Sequence, residues 1–185
     1  MIIAGLSGSL RRGSFNTALL AAAAEQAPEG VTVRQLTIAD IPVYDADLEA
    51  ADFPAAVTAL KDAIAEADAL LLVSPEYNNS IPGAFKNAID WASRPPADAA
   101  RVFSGKPTGL IGASPGNFGT TLGQAAWLPV LRTLGCDFWT AGRLIVPQAG
   151  KAFDADGKLA DEKVASRLQS YMQGFAAFVR ARTSA

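Results

Sequence analysis

The chain has 185 residues, 50% of them hydrophobic, with 16 basic and 18 acidic side chains and a formal net charge of -2. This length and apolar content predict a single domain over residues 1–185 with a sizeable core. The weak net charge gives no indication of a nucleic-acid or anionic-membrane partner. The one cysteine, Cys136, excludes an internal disulfide and a multi-cysteine metal site, and we interpret it as a buried structural thiol.

Histidine is absent from the sequence. This absence removes Ser-His and Cys-His nucleophile pairs, histidine general bases and histidine-ligated zinc, so we predict no metal site and no catalytic side chain. An enzyme of this composition would most easily take its chemistry from a cofactor. No apolar run is long enough to cross a bilayer, and no basic segment precedes the first apolar run as in a signal peptide. We therefore expect a cytoplasmic protein without membrane insertion.

Apolar runs that alternate with amphipathic stretches predict an α/β fold with a doubly wound parallel sheet. The run "ALLLV" shows no alternation of apolar and polar residues, which is typical of a strand covered on both faces. The predicted strands are Ile2–Leu6, Val31–Ile38, Ala69–Val73, Thr108–Ala113 and Phe138–Val146. The predicted helices are Phe15–Ala27, Phe53–Ala67, Pro82–Ala92, Thr120–Leu134 and Asp161–Arg180.

Three of these strands end in a serine that opens a polar loop: the first loop (residues 7–17), the second loop (residues 74–80) and the third loop (residues 114–121). Because the carboxyl ends of parallel strands lie at one edge of a sheet, we expect the three loops to converge there and form the ligand site.

The first loop, "SGSLRRGSFNT", indicates a phosphate site, because it runs into a helix whose free N–H groups favour an anion and it carries Arg11 and Arg12. Neither a Walker A sequence nor G-x-G-x-x-G is present, which favours a monophosphate. The alternative is a capped helix start, with Ser14 or Asn16 as N-cap and both arginines solvated.

The second loop offers backbone N–H groups, the amides of Asn78 and Asn79 and a stiff Pro75, a set that suits a planar heterocycle. The alternative is a surface turn.

In the third loop, Gly116 and Gly119 would let the backbone approach a flat ligand closely. The alternative there is a flexible connector.

Taken together, "GLSGSLRRGSFN" and "SPEYNNSIPGAFKNAIDW" resemble the NADPH-dependent FMN reductase family, the flavodoxin-like group that includes quinone and chromate reductases. "GASPGNFGTTLGQAAWLPVLRTLGC" and "VPQAGKAFDADGKLADE" resemble later segments of the same family, so the resemblance covers nearly the whole chain. It implies a five-stranded flavodoxin-like sheet of order 2-1-3-4-5 with noncovalently bound FMN. It also implies NADPH or NADH as cosubstrate and a quinone or similar small-molecule electron acceptor, used in a ping-pong cycle.

The resemblance further implies which residues contact FMN: one group at the phosphate, one bordering the isoalloxazine and one on its other side. In that order the groups are Ser9, Arg11, Ser14, Asn16 and Thr17; Pro75, Glu76, Tyr77 and Asn78; and Ser114, Gly116 and Gly119. For Glu76 we favour a plain solvent contact over an acid or base role. The sequence departs from many relatives at Asn79, where they carry an aromatic residue, and in the third loop, where they carry more glycine.

The resemblance also implies a homodimer or homotetramer with the flavins near the subunit boundary. Trp91 and Trp127 could then belong either to that interface or to the core. Two rival interpretations remain open, because a fold does not define a function. One is a one-electron carrier of flavodoxin type, and the other is a flavin-binding module without turnover.

Overall fold

A computed structural model describes residues 1–183, and the last two residues of the domain predicted over 1–185 lie outside this range. The strands are β1 (Ile2–Ser7), β2 (Thr32–Leu36), β3 (Ala69–Val73), β4 (Pro107–Ala113), β5 (Asp137–Phe138) and β6 (Leu144–Val146). The helices are α1 (Phe15–Glu25), α2 (Ala46–Ala51), α3 (Ala55–Glu66), α4 (Gly83–Ala92), α5 (Pro96–Phe103), α6 (Thr121–Thr133) and α7 (Glu162–Thr183).

All strand pairs in the sheet are parallel, and the strands lie in the order β2-β1-β3-β4-β5, with β6 also paired to β4. The predicted order 2-1-3-4-5 is therefore confirmed. The central strand β3 is buried at every residue, as its unbroken apolar sequence predicts. Ser7 at the end of β1 lies beside Val73 at the end of β3, so the loops that follow these strands start side by side.

The core consists of two apolar clusters, one on each face of the sheet. Helices α1 and α7 supply one cluster, with Leu19 and Phe175 fully buried. Helices α3, α4, α5 and α6 supply the other. Trp127 is fully buried within this second cluster, and Trp91 is fully buried beside it against Tyr44 and Phe53, so both belong to the core of the chain and not to a subunit boundary.

The predicted strand Phe138–Val146 is wrong as one element, because it divides into β5 and β6, which both pair with β4. Trp139 turns its indole into the core, and the chain leaves the sheet until Leu144. A Cβ added at Gly142 or Gly174 would lie 2.2 Å or 2.9 Å from the Trp139 ring, so these glycines make room for it.

The division of this strand leaves a break in the ladder beside the middle of β4. There, the backbone N–H of Leu110 donates to the hydroxyl of Tyr171 on α7 at 2.8 Å. The same hydroxyl lies 3.4 Å from the carbonyl oxygen of Leu110, to which it donates. Tyr171 thus replaces the missing strand partner, and burial raises its pKa well above the usual range.

Two short helices were not predicted from the sequence. Helix α2 has no buried residue and so shows no apolar stripe, while α5 begins at two consecutive prolines that read as a turn. Among residues 1–183, none of the helices combines the length and the apolar content that crossing a bilayer requires.

Candidate functional site

The three loops converge at the carboxyl edge of the sheet, as expected from the parallel order. They enclose a cleft of about 360 Å³ to which each loop contributes side chains. The cleft is lined by Ser9, Arg11, Ser14, Phe15, Asn16, Pro75, Glu76, Tyr77, Ala113, Ser114 and Pro115.

The first loop ends at a capped helix start, because the hydroxyl of Ser14 accepts the backbone N–H groups of Asn16 and Thr17, both at 3.2 Å. The amide of Asn16, which is 4% exposed, reaches across to the end of β4. Its Nδ2 donates to the carbonyl of Ala113 at 2.8 Å, and its Oδ1 accepts the Ala113 N–H at 2.9 Å. Asn16 therefore fastens α1 to β4, directly beside the cleft.

Arg11 supplies the positive charge of the cleft. Its guanidinium lies 5.3 Å from the centre of the Phe15 ring, and its backbone N–H donates weakly to the Ser9 hydroxyl at 3.4 Å. The side chain is exposed and free to reach a ligand. Arg12 does not line this cleft but faces the grooves on either side of the loop.

The second loop turns back on itself through a two-residue hairpin. Tyr77 and Ser80 exchange backbone hydrogen bonds of 3.1 Å and 3.0 Å. Between them, Asn78 and Asn79 have φ angles of +50° and +62°, the left-handed conformation that a type I′ turn requires and that asparagine tolerates. The unusual Asn79 therefore has a local structural reason. The turn leaves Tyr77 half exposed beside the cleft.

Two side-chain contacts attach the second loop to α6. The indole N–H of Trp127 donates to the Ser74 hydroxyl at 2.9 Å, and Ser74 in turn donates to the carbonyl of Pro75. The carboxylate of Glu76 accepts the backbone N–H of Gly123 at 2.7 Å. The preference for Glu76 as a plain solvent contact is therefore wrong, since it caps the third residue of α6, where an anion is favoured.

Gly123 has no side chain that could block this contact. A Cβ there would lie 3.2 Å from the Cβ of Glu76, closer than most real contacts. The cap residue of α6, Thr120, makes no side-chain capping bond of its own. Glu76, from the second loop, therefore supplies the N-terminal capping acceptor that Thr120 does not provide.

The third loop is held by the segment that follows β6. Backbone bonds join Ser114 to Val146 and to Ala149, both at 3.0 Å, and Gly116 to Gln148 at 3.0 Å. Gly119 has a φ of +62°, and a Cβ there would lie 2.1 Å from the side chain of Ile145. The third loop is therefore a turn held by backbone hydrogen bonds. The alternative interpretation, a flexible connector, does not describe it.

Most of the predicted site residues border the cleft, and four do not. Thr17, Asn78, Gly116 and Gly119 lie in the loops but outside the lining. The hydroxyl of Thr17 is 3.0 Å from that of Ser7. Three lining residues were missed, namely Phe15, Ala113 and Pro115, although each is the immediate neighbour of a predicted residue.

The rest of the described chain offers no competing centre of metal or thiol chemistry. Within residues 1–183, no group of three acidic, cysteine or histidine side chains could hold a metal ion. Cys136 is partly buried and not fully buried as predicted. Burial raises the pKa of its thiol to about 11, so the thiol is protonated and unreactive at neutral pH, as a structural cysteine would be.

The donors of the cleft fit a phosphomonoester attached to a flat ring. The first loop offers Arg11, two serine hydroxyls and a helix N-terminus, while Pro75 and the third loop offer backbone to a planar group. The one carboxylate in the lining, Glu76, is engaged by Gly123. The fold and this cleft are those of a doubly wound α/β protein with its ligand site at the carboxyl edge of the sheet.

Comparison with known proteins gives the family. The family model for NADPH-dependent FMN reductase matches residues 1–151. An NAD(P)H-dependent FMN reductase of Pseudomonas aeruginosa is 42% identical over 96% of this chain and 95% of its own length. A 2-hydroxy-1,4-benzoquinone reductase of a Burkholderia species is 40% identical over 97% of both chains. The chain belongs to the NADPH-dependent FMN reductase family, and the resemblance seen in the sequence is confirmed.

A solved structure agrees with this assignment. FerB, a flavoenzyme NAD(P)H:(acceptor) oxidoreductase from Paracoccus denitrificans, has a TM-score of 0.87 and 38% identity, covering 97% of each chain.

Proposed function

We propose that this protein is an FMN-dependent NAD(P)H oxidoreductase that reduces a quinone or a similar small acceptor. The observation that carries the proposal is the cleft built by three loops at one sheet edge, in a member of this family. The relatives named above are FMN and quinone reductases, which supports an enzyme over a carrier or a passive binding module.

In this proposal the phosphate of FMN binds at the first loop. Arg11 supplies a charge-assisted hydrogen bond, and Ser9, Ser14 and the N-terminus of α1 supply further donors. The side chains of Asn16 and Thr17 already have partners, and their backbone N–H groups donate to the Ser14 hydroxyl, so we assign both residues a positioning role. This division refines the contacts that the resemblance implied.

The isoalloxazine lies, in the same proposal, between the second and third loops. Pro75, Glu76 and Tyr77 border it chiefly through backbone groups, and Ser114 approaches its other side. Asn78, Gly116 and Gly119 lie outside the lining, and we assign them the role of shaping the two loops. The hydrogen bond between Glu76 and Gly123, and the backbone bonds from the third loop to the segment after β6, hold these backbone groups in place. Such fixed dipoles orient a ligand without rearrangement.

The chain needs no acid or base of its own for this reaction. Bound FMN would supply the redox chemistry, accepting hydride from NAD(P)H and passing electrons to the acceptor. The protein binds and orients the reactants and leaves one side of the cleft open. One cleft that serves both substrates in turn predicts parallel double-reciprocal plots.

The visible spectrum of the purified holoprotein tests the proposal most directly. Under anaerobic conditions NADPH or NADH should bleach the flavin without any accessory protein, and a quinone should then restore the colour. A one-electron carrier or a passive binding module would keep its colour with both nicotinamides while dithionite still bleached it. That result would overturn the enzyme assignment.

We also propose a homodimer or homotetramer. The support is the exposed outer face of α6, the helix that Glu76 of the cleft contacts, where Leu122 and Leu128 are 50% and 48% exposed. This face takes the place of the two buried tryptophans as the candidate subunit boundary. The cytoplasmic location expected from the sequence stays a prediction.

A further inference from the structure

Ser74 is a fully buried polar residue at the start of the second loop, and its neighbours determine the direction of its hydroxyl. Its backbone N–H donates to the carbonyl of Ile111 on β4 at 2.9 Å, which fixes its position. The indole N–H of Trp127 can only donate, and it lies 2.9 Å from the Ser74 hydroxyl oxygen. The hydroxyl proton is therefore left for the carbonyl oxygen of Pro75, which lies at 2.9 Å and can only accept.

The indole that imposes this direction is itself fixed. Trp127 is fully buried on α6, and its ring packs edge to face against that of Phe85 on α4, with the ring centroids 5.0 Å apart. Phe85 in turn lies against the first loop, since a Cβ added at Gly8 would come 2.2 Å from its ring. The Ser74 hydroxyl is therefore held by closely packed core side chains.

The bond from Ser74 also fixes the direction of the next peptide group. The peptide between Pro75 and Glu76 is trans and planar, so its carbonyl and its N–H point in opposite directions. The carbonyl is turned to the Ser74 hydroxyl, which contacts α6 through Trp127. The Glu76 carboxylate is also bound to α6, at the N–H of Gly123. The N–H of Glu76 therefore points away from α6, a helix that contributes no residue to the lining of the cleft.

This N–H of Glu76 has no hydrogen-bond partner within residues 1–183. The next N–H along the loop differs, since that of Tyr77 donates to the carbonyl of Ser80. Glu76 and the buried Pro75 both line the cleft, so the free N–H lies at its wall. Backbone N–H groups in such surroundings are nearly always paired, and a free one beside a cleft indicates a donor for a ligand.

We infer that Ser74 and Trp127 are positioning residues for the flavin. Through the Pro75 carbonyl they direct the N–H of Glu76 into the cleft, where it donates to the edge of the isoalloxazine. An oxidised isoalloxazine carries ring nitrogens and carbonyl oxygens along its edge, which suit a fixed donor. The inference rests on the proposed function and gives a role to two buried residues outside the lining of the cleft.

The test uses Ser74→Ala, which removes the hydroxyl and leaves the Pro75 carbonyl free to turn. Holoprotein loaded with FMN or with riboflavin is diluted, and the recovery of flavin fluorescence gives each dissociation constant. Both affinities should fall about tenfold, as for the loss of one hydrogen bond, because both ligands carry the same ring. A loss confined to FMN would place the effect at the phosphate and overturn the inference, as would unchanged affinities for both flavins.

Amide hydrogen exchange gives a readout that a merely structural role would not move. In the FMN-loaded protein, Ser74→Ala should speed the exchange of the Glu76 amide about tenfold, because its bond to the ring is lost. The Ala113 amide, which donates to Asn16, should exchange at the wild-type rate. Equal acceleration at both amides would mean a general loosening of the fold and would overturn the inference.

Tyr171→Phe is the matched control for the affinities. It also removes a buried hydroxyl that bonds to a backbone group, but Tyr171 lies outside the lining of the cleft. It should leave the affinities for FMN and riboflavin unchanged. A loss as large as that of Ser74→Ala would contradict a specific role for Ser74.

Failure of the proposed function would look different. Neither nicotinamide would then bleach the bound flavin, or a quinone would not restore its colour. The affinity and exchange measurements need no turnover, so they would still decide whether Ser74 positions the ring.

Discussion

Arg11 is the cation that lines the cleft, and its contribution can be separated from that of the rest of the first loop. Arg11→Ala should weaken FMN binding by about 1.5–3 kcal/mol, because a charge-assisted bond to the phosphate is lost. Riboflavin, which has no phosphate, should bind almost as before. Quenching of flavin fluorescence measures both affinities. Arg12→Ala is the control, and equal losses for FMN and riboflavin would contradict the phosphate assignment.

Lys61 is an unusual residue, because its side chain is only 5% exposed. Its ammonium lies 2.7 Å from Asp98, and hydrogen bonds from Arg101 and Lys61 hold the pKa of Asp98 well below its usual range. Asp98→Asn should therefore cost about 3 kcal/mol of unfolding free energy at pH 7, because the buried ammonium of Lys61 loses its counter-ion and keeps only the carbonyl of Arg94 and the Phe53 ring. Urea unfolding measures the loss.

The matched control is Asp62→Asn, which removes the exposed partner of the same Arg101 and should cost less than about 1 kcal/mol. The pH dependence gives a second check. Because the pKa of Asp98 is lowered in the folded state, its contribution is complete above about pH 5 and declines as the pH falls through 4 and below. An equal loss for Asp98→Asn at pH 7 and at pH 3 would contradict the ion pair.

At the scale of single residues, the sequence correctly indicated which loops form the cleft. It did not indicate which group each side chain would bond to. Asn16 and Glu76 look like ligand contacts in the sequence. Their actual partners, Ala113 and Gly123, are 97 and 47 residues away along the chain. Only the folded sheet brings these groups together, so no local pattern could have revealed them.

At the scale of elements, the hydroxyl of Tyr171 completes the hydrogen bonding of β4. Tyr171→Phe should lower the free energy of unfolding by about 1–3 kcal/mol, because the buried N–H of Leu110 loses its acceptor. Thermal or urea unfolding measures the change. Tyr44→Phe is a control of the same chemistry, since it removes a bond to Glu49 near the surface. A loss no larger than that of the control would mean that water replaces the hydroxyl.

The doubly wound architecture and the five main helices could be predicted from the sequence because apolar runs of suitable length alternate with amphipathic stretches. The strand order came from the family resemblance. The division of the last strand could not be predicted. Whether the strand divides depends on where the indole of Trp139 packs. The space for this indole exists because Gly174, on a helix distant in sequence, has no side chain. Helix α2 gave no signal either, because it buries nothing.

At the scale of the whole molecule, the exposed face of α6 predicts self-association. Sedimentation at micromolar concentration should give a species at least twice the mass of the 19.2 kDa chain. Leu128→Glu should shift it toward the monomer, because a charge would be buried in the interface. A 19.2 kDa species in the wild type at that concentration would contradict the proposal.

The hydrogen bonds that hold the three loops around the cleft also affect the entropic cost and the rate of ligand binding. Asn16 joins the first loop to β4, Glu76 joins the second loop to α6, and Gln148 helps to clasp the third. These bonds join groups of the chain itself, so we expect the loops to be ordered before a flavin arrives. Association then carries little conformational entropy cost, and the free protein should already protect the amide hydrogens of Ala113 and Gly123 from exchange with solvent.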